Sequence, residues 1–376
     1  MAKKTTDESV ISQDYPSIID TRLAQLRFTM EELKVDAIAI TYVPNIRYLT
    51  NFSGSAATMF VTLEDIHFIT DDRYEEQIKD ELFTLPNMKT HISRDAWQLL
   101  IDKKEITKIS HLAFEADKIP YSDAVEIRNR LRPIKFKPAP DSVEKFTIPK
   151  SPEEQMMIQK SCDISVKVYE DVLNLIKPGI SEKEIELEIS YQTRKLGSEG
   201  DPFPIIVVSG SRSALPHGTA TDRKIKKGDV VLLDFGCVIN GFVSDISRTV
   251  VVGKATKEQK DMYKLLIQAK EEAIKTVCPS MNGKTLDEAA RSIIRDAGFG
   301  DYFKHSLGHG IGLVAHEKPI ITFRKDDQII PENAVIAIEP GIYIPDKYGM
   351  RVEDDVLVTR SGGKHFTKAP EELVVL

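Results

Sequence analysis

At 376 residues the chain exceeds one ordinary core, so two domains are expected. Its 41% apolar residues suffice for globular cores, and a net charge of -7 without a basic stripe argues against a nucleic-acid partner. The polar opening from Met1 to Val10 lacks a signal-type apolar segment, and no apolar run is long enough to span a bilayer.

Residues 1–14 are polar and aperiodic, which predicts a disordered tail. From Ser17, Ile18, Ile19, Leu23, Leu26, Met30 and Leu33 recur at helical spacing. Strands are predicted over 36–42, 59–63, 67–70 and 111–114, with a loop opening at Pro44-Asn45. Helices are predicted over 74–81, 96–101 and 122–131. That alternation predicts an α/β domain over 15–145 with a mixed or parallel sheet. Pro133, Pro138, Pro140, Pro149 and Pro152 mark residues 132–152 as the domain boundary, with the second domain over 146–376. Ser151-Pro-Glu-Glu154 opens a long helix with a serine cap, a first-turn proline and acids at the positive helix end.

Residues 230–250 read as a β-hairpin turning at Asn240-Gly241, a pair suited to the φ > 0 of a type I′ turn. A turn centred there pairs Asp234 with Ser247 and Asp245 with Gly236. The two acids then share one face as diagonal neighbours roughly 7–8 Å apart. Two anions among apolar residues require a cationic partner.

The same order recurs further on. A capping box at Ser181…Glu184 precedes Asp234 by 53 positions, and one at Thr285…Glu288 precedes Glu339 by 54. Each acid ends an apolar strand just before a glycine, and each strand is followed by another with its own acid, Asp245 and Glu353. Two pseudo-symmetric helix-helix-strand-strand halves are therefore expected, sheet inside and helices outside, with four acids converging.

Histidines supply the next group. His217 lies in Leu-Pro-His-Gly, and His305, His309 and His316 lie in one glycine-marked segment; His365 has no comparable context and reads as a surface residue. Alone, a histidine beside glycine reads as structural. Beside four strand-borne acids in a duplicated frame, His309 becomes a metal ligand, and such an oxygen-rich site suits Mn²⁺, Co²⁺, Fe²⁺ or Zn²⁺. Five ligands with four negative charges fit two ions better than one. A water bridging ions about 3.5–4 Å apart is acidic enough to act as hydroxide, so hydrolysis is the expected reaction. Cys162, Cys237 and Cys278 read as free thiols of a reducing, cytoplasmic compartment.

The Asp234/Asp245 hairpin, Gly308-His309-Gly310, Ile338-Glu-Pro-Gly341 and Arg351-Val-Glu-Asp-Asp355 resemble the creatinase/aminopeptidase/prolidase, or "pita-bread", metallopeptidases. Pro44-Asn-Ile-Arg-Tyr48, Phe52-Ser-Gly-Ser-Ala56 and Asp71-Asp-Arg-Tyr74 extend the likeness into the first domain. The resemblance implies an α/β (α+β) fold, a creatinase-like N-terminal domain before a pita-bread catalytic domain. It implies Asp234, Asp245, His309, Glu339 and Glu353 as ligands of two divalent ions, manganese first, with cobalt or zinc as alternatives. Catalytic roles fall to Glu339 as proton shuttle, His316 as stabiliser of the tetrahedral intermediate and His217 beside the scissile bond. His217, His305, His316 and Arg351 are the implied substrate-binding residues, Arg351 alternatively forming a salt bridge to Asp354 or to a ligand.

The implied activity is hydrolysis of Xaa-Pro bonds at peptide N-termini, aminopeptidase P-like, with Xaa-Pro dipeptidase (prolidase) as the alternative. Residues 52–56 lean to the aminopeptidase branch. The expected substrate is a peptide with proline second, and the expected assembly, by family analogy, is a homodimer without nucleic-acid or membrane partners. A pita-bread binding module that has lost catalysis is the contrasting class, but all five ligand positions are filled here. Gly218-Thr-Ala-Thr221 lacks the proline some relatives carry after the residue matching His217, which touches fine specificity.

Overall fold

The computed structural model describes residues 15–376 apart from residue 326, with side chains from Asp20 onward. The tail expected over 1–14 lies outside the described residues. The chain divides into two compact units, the first ending at Phe146 and the second beginning at Thr147. Among the described residues no helix is long and apolar enough to cross a membrane.

The first unit is built on a six-stranded mixed sheet of β1 (Ala37–Ile40), β2 (Ala57–Thr62), β3 (Ile66–Thr70), β4 (Met88–Ile92), β5 (His111–Phe114) and β6 (Lys135–Pro138). Their order is β4-β3-β2-β1-β5-β6, antiparallel at β1/β2 and β2/β3 and parallel elsewhere. One local expectation is corrected, and two further strands carry no sequence signal. Residues 43–50 form a helix, not a loop: Pro44 occupies the first turn, where no N–H is needed, and Asn51 ends the helix at φ 68°. Strand β4 escapes a periodicity reading because its residues do not alternate between buried and exposed. Strand β6 lies inside the proline-rich stretch, and Pro138 is tolerated because β6 is at the sheet edge.

The second unit contains the two halves. Helices α1 (Pro152–Val172) and α2 (Glu182–Lys195) precede β7 (Ile206–Ser209) and β8 (Val230–Phe235). The short pair β9 (Val238–Ile239) and β10 (Phe242–Val243) leads to β11 (Ile246–Val251). Then come α3 (Lys257–Thr276) and α4 (Gly283–Asp296), followed by β12 (Gly308–Gly310), β13 (Glu317–Ile321) and β14 (Val335–Ile338). The chain ends in β15 (Gly341–Ile344), β16 (Tyr348–Arg351), β17 (Asp354–Thr359), β18 (Gly362–His365) and β19 (Val374–Val375). The two large sheets run β19-β11-β8-β7 and β13-β12-β14-β17-β18, and a bridge between Ser247 and Glu353 joins them.

Capping starts the helices as the sequence implies. Ser151 with Glu154 and Ser181 with Glu184 form complete capping boxes. In the second half, however, α4 starts one turn before Thr285. Asn282 is the cap, its Oδ1 accepting from the Lys284 amide at 2.7 Å, so the half-repeat spacing is 57 positions rather than 54. Asparagine caps as well as threonine does, and a glycine immediately after it hid the true start.

Each helix pair buries an apolar face on its sheet. Val168, Val172, Ile185 and Ile189 pack against Val231, Leu233 and Val250. Leu266, Ala273, Ala290 and Ile294 pack with Ile336, Ile338 and Val356. The small residues let α3 and α4 approach one another closely. Truncating fully buried Leu266 to alanine is expected to cost about 2–5 kcal/mol.

Candidate metal centre

The hairpin holds the predicted register. Asp234 faces Ser247 across β8 and β11, and Asn240 and Gly241 turn at φ 51° and 79°. Both acids are buried, Asp234 at 8% exposure and Asp245 at 4%. In the second half, β14 and β17 pair Ile338 with Asp354, which puts Glu339 and Glu353 at the end of the same ladder. His309 rides on β12 between β13 and β14. The flanking glycines are obligatory there: a Cβ on Gly308 would lie 1.9 Å from the Ala337 carbonyl oxygen, and one on Gly310 would lie 2.2 Å from that of Lys318.

These elements bring all five residues named as ligands to one cavity of about 260 Å³, with His217, His316 and Arg351 on its wall. His305 stands behind it, its Nδ1 3.9 Å from Glu339 Oε2. Asp245, His309 and Glu353 present donor atoms within 4.8 Å of one another. His309 Nε2 lies 4.0 Å from Asp245 Oδ2 and 3.8 Å from Glu339 Oε1. These are not ion pairs, because burial and the neighbouring His316 hold the imidazole near pKa 3. Its Nδ1–H donates to the Gly310 carbonyl at 3.1 Å, which leaves the Nε2 lone pair facing the acids.

The carboxylates carry more charge than the protein compensates. Burial, then the charges of Glu353 and Asp234, raises Asp245 well above the ordinary range. Burial, then Glu339 and Asp234, does the same to Glu353. Burial lifts Glu339 to about 8; Arg351 pulls it down and Asp234 pushes it up. Asp234 Oδ1 and Asp245 Oδ1 are buried and accept no hydrogen bond from the described residues. Unsatisfied carboxylate oxygens aimed at a neutral imidazole are what a divalent cation needs, so the residues fit the expected metal.

Arg351 is the cation the protein itself supplies. Its Nη2 pairs with Asp234 Oδ2, not with Asp354, so the salt bridge formed is the one to a carboxylate of the cavity. Nε donates to Ser247 Oγ at 2.8 Å, and that hydroxyl donates to Glu353 Oε2 at 2.6 Å. Nη1 donates to Tyr343 OH at 2.6 Å and to the Pro216 carbonyl at 3.2 Å. Since His305 Nδ1–H donates to the Ser306 carbonyl at 2.8 Å, its Nε2 accepts from Tyr343 OH at 2.9 Å. Tyr343 has no signal in the sequence, and Ser247 enters the sequence reading only as the register partner of Asp234, without a role at the site. Ser247 was detectable, two residues past Asp245 on the same strand face.

His217 and His316 are exposed at the cavity rim. The His316 ring centroid is 4.3 Å from that of His309, and desolvation of its covered face lowers its pKa despite the open edge. His365 departs from the surface expectation. It is half-buried between Asp354 and Glu271, both at 3.4 Å, and hydrogen bonds to these acids raise it to about 9. The nearby Glu271, His365 and Glu371 have metal-like spacing, but the Lys270 ammonium lies 3.1 Å from Glu271 and 3.7 Å from Glu371 and supplies the charge instead. All three cysteines are free thiols, Cys162 and Cys237 buried and Cys278 exposed.

Comparison with known proteins identifies the family of both units. The pattern of metallopeptidase family M24 matches residues 156–360, and that of the creatinase/prolidase N-terminal domain matches 22–146. A Pyrococcus horikoshii protein named Xaa-Pro dipeptidase is 34% identical over 95% of this chain and 99% of its own. The solved Xaa-Pro dipeptidase from Bacillus anthracis superposes with a TM-score of 0.89 at 35% identity, covering 95% of this chain and all of that one. A solved X-Pro aminopeptidase from Thermotoga maritima gives a TM-score of 0.87 at 34% identity, covering 94% of this chain and 99% of its own.

Proposed function

Since the chain belongs to metallopeptidase family M24, with a creatinase/prolidase-type N-terminal domain and a pita-bread catalytic domain, we propose that it is an Xaa-Pro dipeptidase. The observation that carries hydrolysis is the convergence of three buried acids, the half-buried Glu339 and His309 on a single cavity, two of the acids with oxygens that find no hydrogen-bond partner among the described residues. The aminopeptidase P reading gives way to the dipeptidase. Relatives named Xaa-Pro dipeptidase match nearly the whole chain.

Asp234, Asp245, His309, Glu339 and Glu353 would hold two divalent ions, manganese first. Bound there, such ions supply Lewis-acid polarisation of the scissile carbonyl and lower the pKa of water toward neutrality. The chain's own residues do the rest. Glu339 takes the proton of the attacking water on a carboxylate oxygen and delivers it to the departing proline nitrogen. His316, at the rim, donates to the oxygen that becomes negative as the carbonyl is attacked. His217 faces the same space and orients the peptide, while Arg351 fixes Asp234 and, through Ser247, Glu353. Phe203, Pro204 and Ile206 give the cavity an apolar wall for the pyrrolidine ring, which has no N–H to satisfy.

The test compares Ala-Pro with Ala-Pro-Xaa tripeptides on the Mn²⁺-loaded protein. Turnover of the dipeptide with little cleavage of the tripeptide is expected. Preference for the tripeptide would restore the aminopeptidase, and cleavage of neither would remove the enzyme reading. We also infer a cytoplasmic homodimer; sedimentation of the purified protein checks the dimer, and fractionation of cells checks the compartment.

A further inference from the structure

We infer that Glu182 is a positioning residue for catalysis, acting through the loop that carries His217. The inference rests on the role given to His217 above. Glu182 lies in the first turn of α2, fully buried. Its Oε1 accepts from the Ser209 amide and hydroxyl, both at 2.8 Å. Its Oε2 accepts from the Thr221 amide at 3.1 Å, the Thr221 hydroxyl at 2.7 Å and Arg212 Nε at 3.1 Å. Five donors thus converge on a side chain with about four lone-pair sites, so the carboxylate is saturated.

Those donors are not scattered. Ser209 and Thr221 bracket the loop at its two ends, and one side chain clamps both. Arg212, within the loop, extends the hold by donating Nη2 to the Thr219 carbonyl at 2.7 Å. At the tip, the Pro216 carbonyl accepts from Arg351, the guanidinium that also pairs with Asp234. The loop is therefore fastened at its base by Glu182 and at its tip by the metal centre. Between the two fastenings His217 reaches the cavity.

A first-turn glutamate is ordinarily a solvent-facing partner of the helix dipole. That explanation fails here, because Glu184 in the same turn already completes the capping box with Ser181 while standing exposed. Starting α2 does not require a second, fully buried carboxylate. The other half of the domain repeats the device. Asp287 on α4 accepts from the Leu307 amide at 2.8 Å and pairs with Arg291, which donates to the Phe303 and His305 carbonyls at 2.8 and 2.7 Å. Each half thus ties one histidine loop to a buried helix-borne acid.

A double-mutant cycle tests this, with Glu182→Gln and His217→Ala made singly and together in the Mn²⁺-loaded protein. Glutamine keeps the size but turns one acceptor oxygen into a donor. We expect metal content and circular dichroism to stay unchanged, amide exchange over residues 210–220 to accelerate, and kcat/KM on Ala-Pro to fall by about 10–100-fold. In the His217→Ala background the same change should add less than about twofold, because the two act as a unit. Losses that multiply, or unchanged exchange in the loop, would overturn the inference. If His217→Ala alone keeps full turnover, the role of His217 falls and the inference with it; multiplying losses beside an impaired His217→Ala overturn the inference alone. Should Glu182→Gln not fold, Thr221→Val removes one donor and is read by the same non-additivity.

Discussion

Glu353, Asp354 and Asp355 are consecutive, acidic and buried, yet their surroundings treat them oppositely. Glu353 turns into the metal cavity and Asp355 lies against its back, accepting from the Asp245 amide at 2.8 Å. Burial raises both, Asp355 to about 8. Asp354 turns the other way, toward Arg248, Lys270 and His365. Burial also acts against its charge, but Arg248 and Lys270 outweigh it and hold the carboxyl far below the usual range. Burial is common to all three; the difference is whether the protein supplies cations. Where it does, an acid becomes part of the framework. Where it withholds them, the site is left for an ion from outside.

Removing the supplied cation should have the largest effect on folding. Arg248 is 1% exposed and donates to Asp354 Oδ1 at 2.6 Å and to the Glu353 carbonyl at 2.7 Å. Arg248→Met is expected to cost about 3–5 kcal/mol in denaturant unfolding. A loss below ~1 kcal/mol would mean that Lys270 alone compensates Asp354.

On the uncompensated side, Asp245→Asn should act in opposite senses on function and fold. Activity is expected to fall by more than the ~10–100-fold typical of residues one step removed from a metal, with metal content reduced. The metal-free protein should melt at a higher temperature than wild type, because one buried like charge has gone. A lower melting temperature would contradict an excess of negative charge at the cavity.

The pH dependence separates the two regions further. Glu339 and Asp355 bind protons more tightly in the fold than their ordinary values near 4 allow, so their contribution is present below those values and lost as pH rises toward 8. The melting temperature of chelator-treated protein should decline from about pH 5 to 8, and Mn²⁺ should flatten that decline. A pH-independent apoprotein would mean that burial does not hold protons on these acids. The smallest effect belongs to His365, raised to about 9 by Asp354 and Glu271. Its contribution is complete below about 6.5 and lost as pH rises through 9, whether or not metal is bound. His365→Gln should remove that shallow alkaline slope, seen in melting curves between pH 7 and 10.

What was legible in the sequence follows how locally each feature is determined. Asn240-Gly241 sets the hairpin by its own backbone preferences, so the facing of Asp234 and Ser247 could be read off directly. His309 was marked by glycines that the crossing strands demand. The partners of Asp354 were not legible, because Lys270 and Arg248 come from 84 and 106 positions away and look like ordinary surface cations in sequence. Glu182 was hidden by Glu184, which accounts for the helix start without it. The helix over 43–50 was missed because a proline that opens a helix looks like one that breaks it.

The bridge between Ser247 and Glu353 also makes the second unit resemble two subunits fused into one polypeptide. Cutting the chain in the turn between β11 and α3 would leave Asp234 and Asp245 on one fragment, and His309, Glu339 and Glu353 on the other. Neither piece would retain the full set of donors, and the seam would run through the cavity itself. Co-expressed fragments should therefore reassociate more tightly with manganese than without it, as partners that share an ion do.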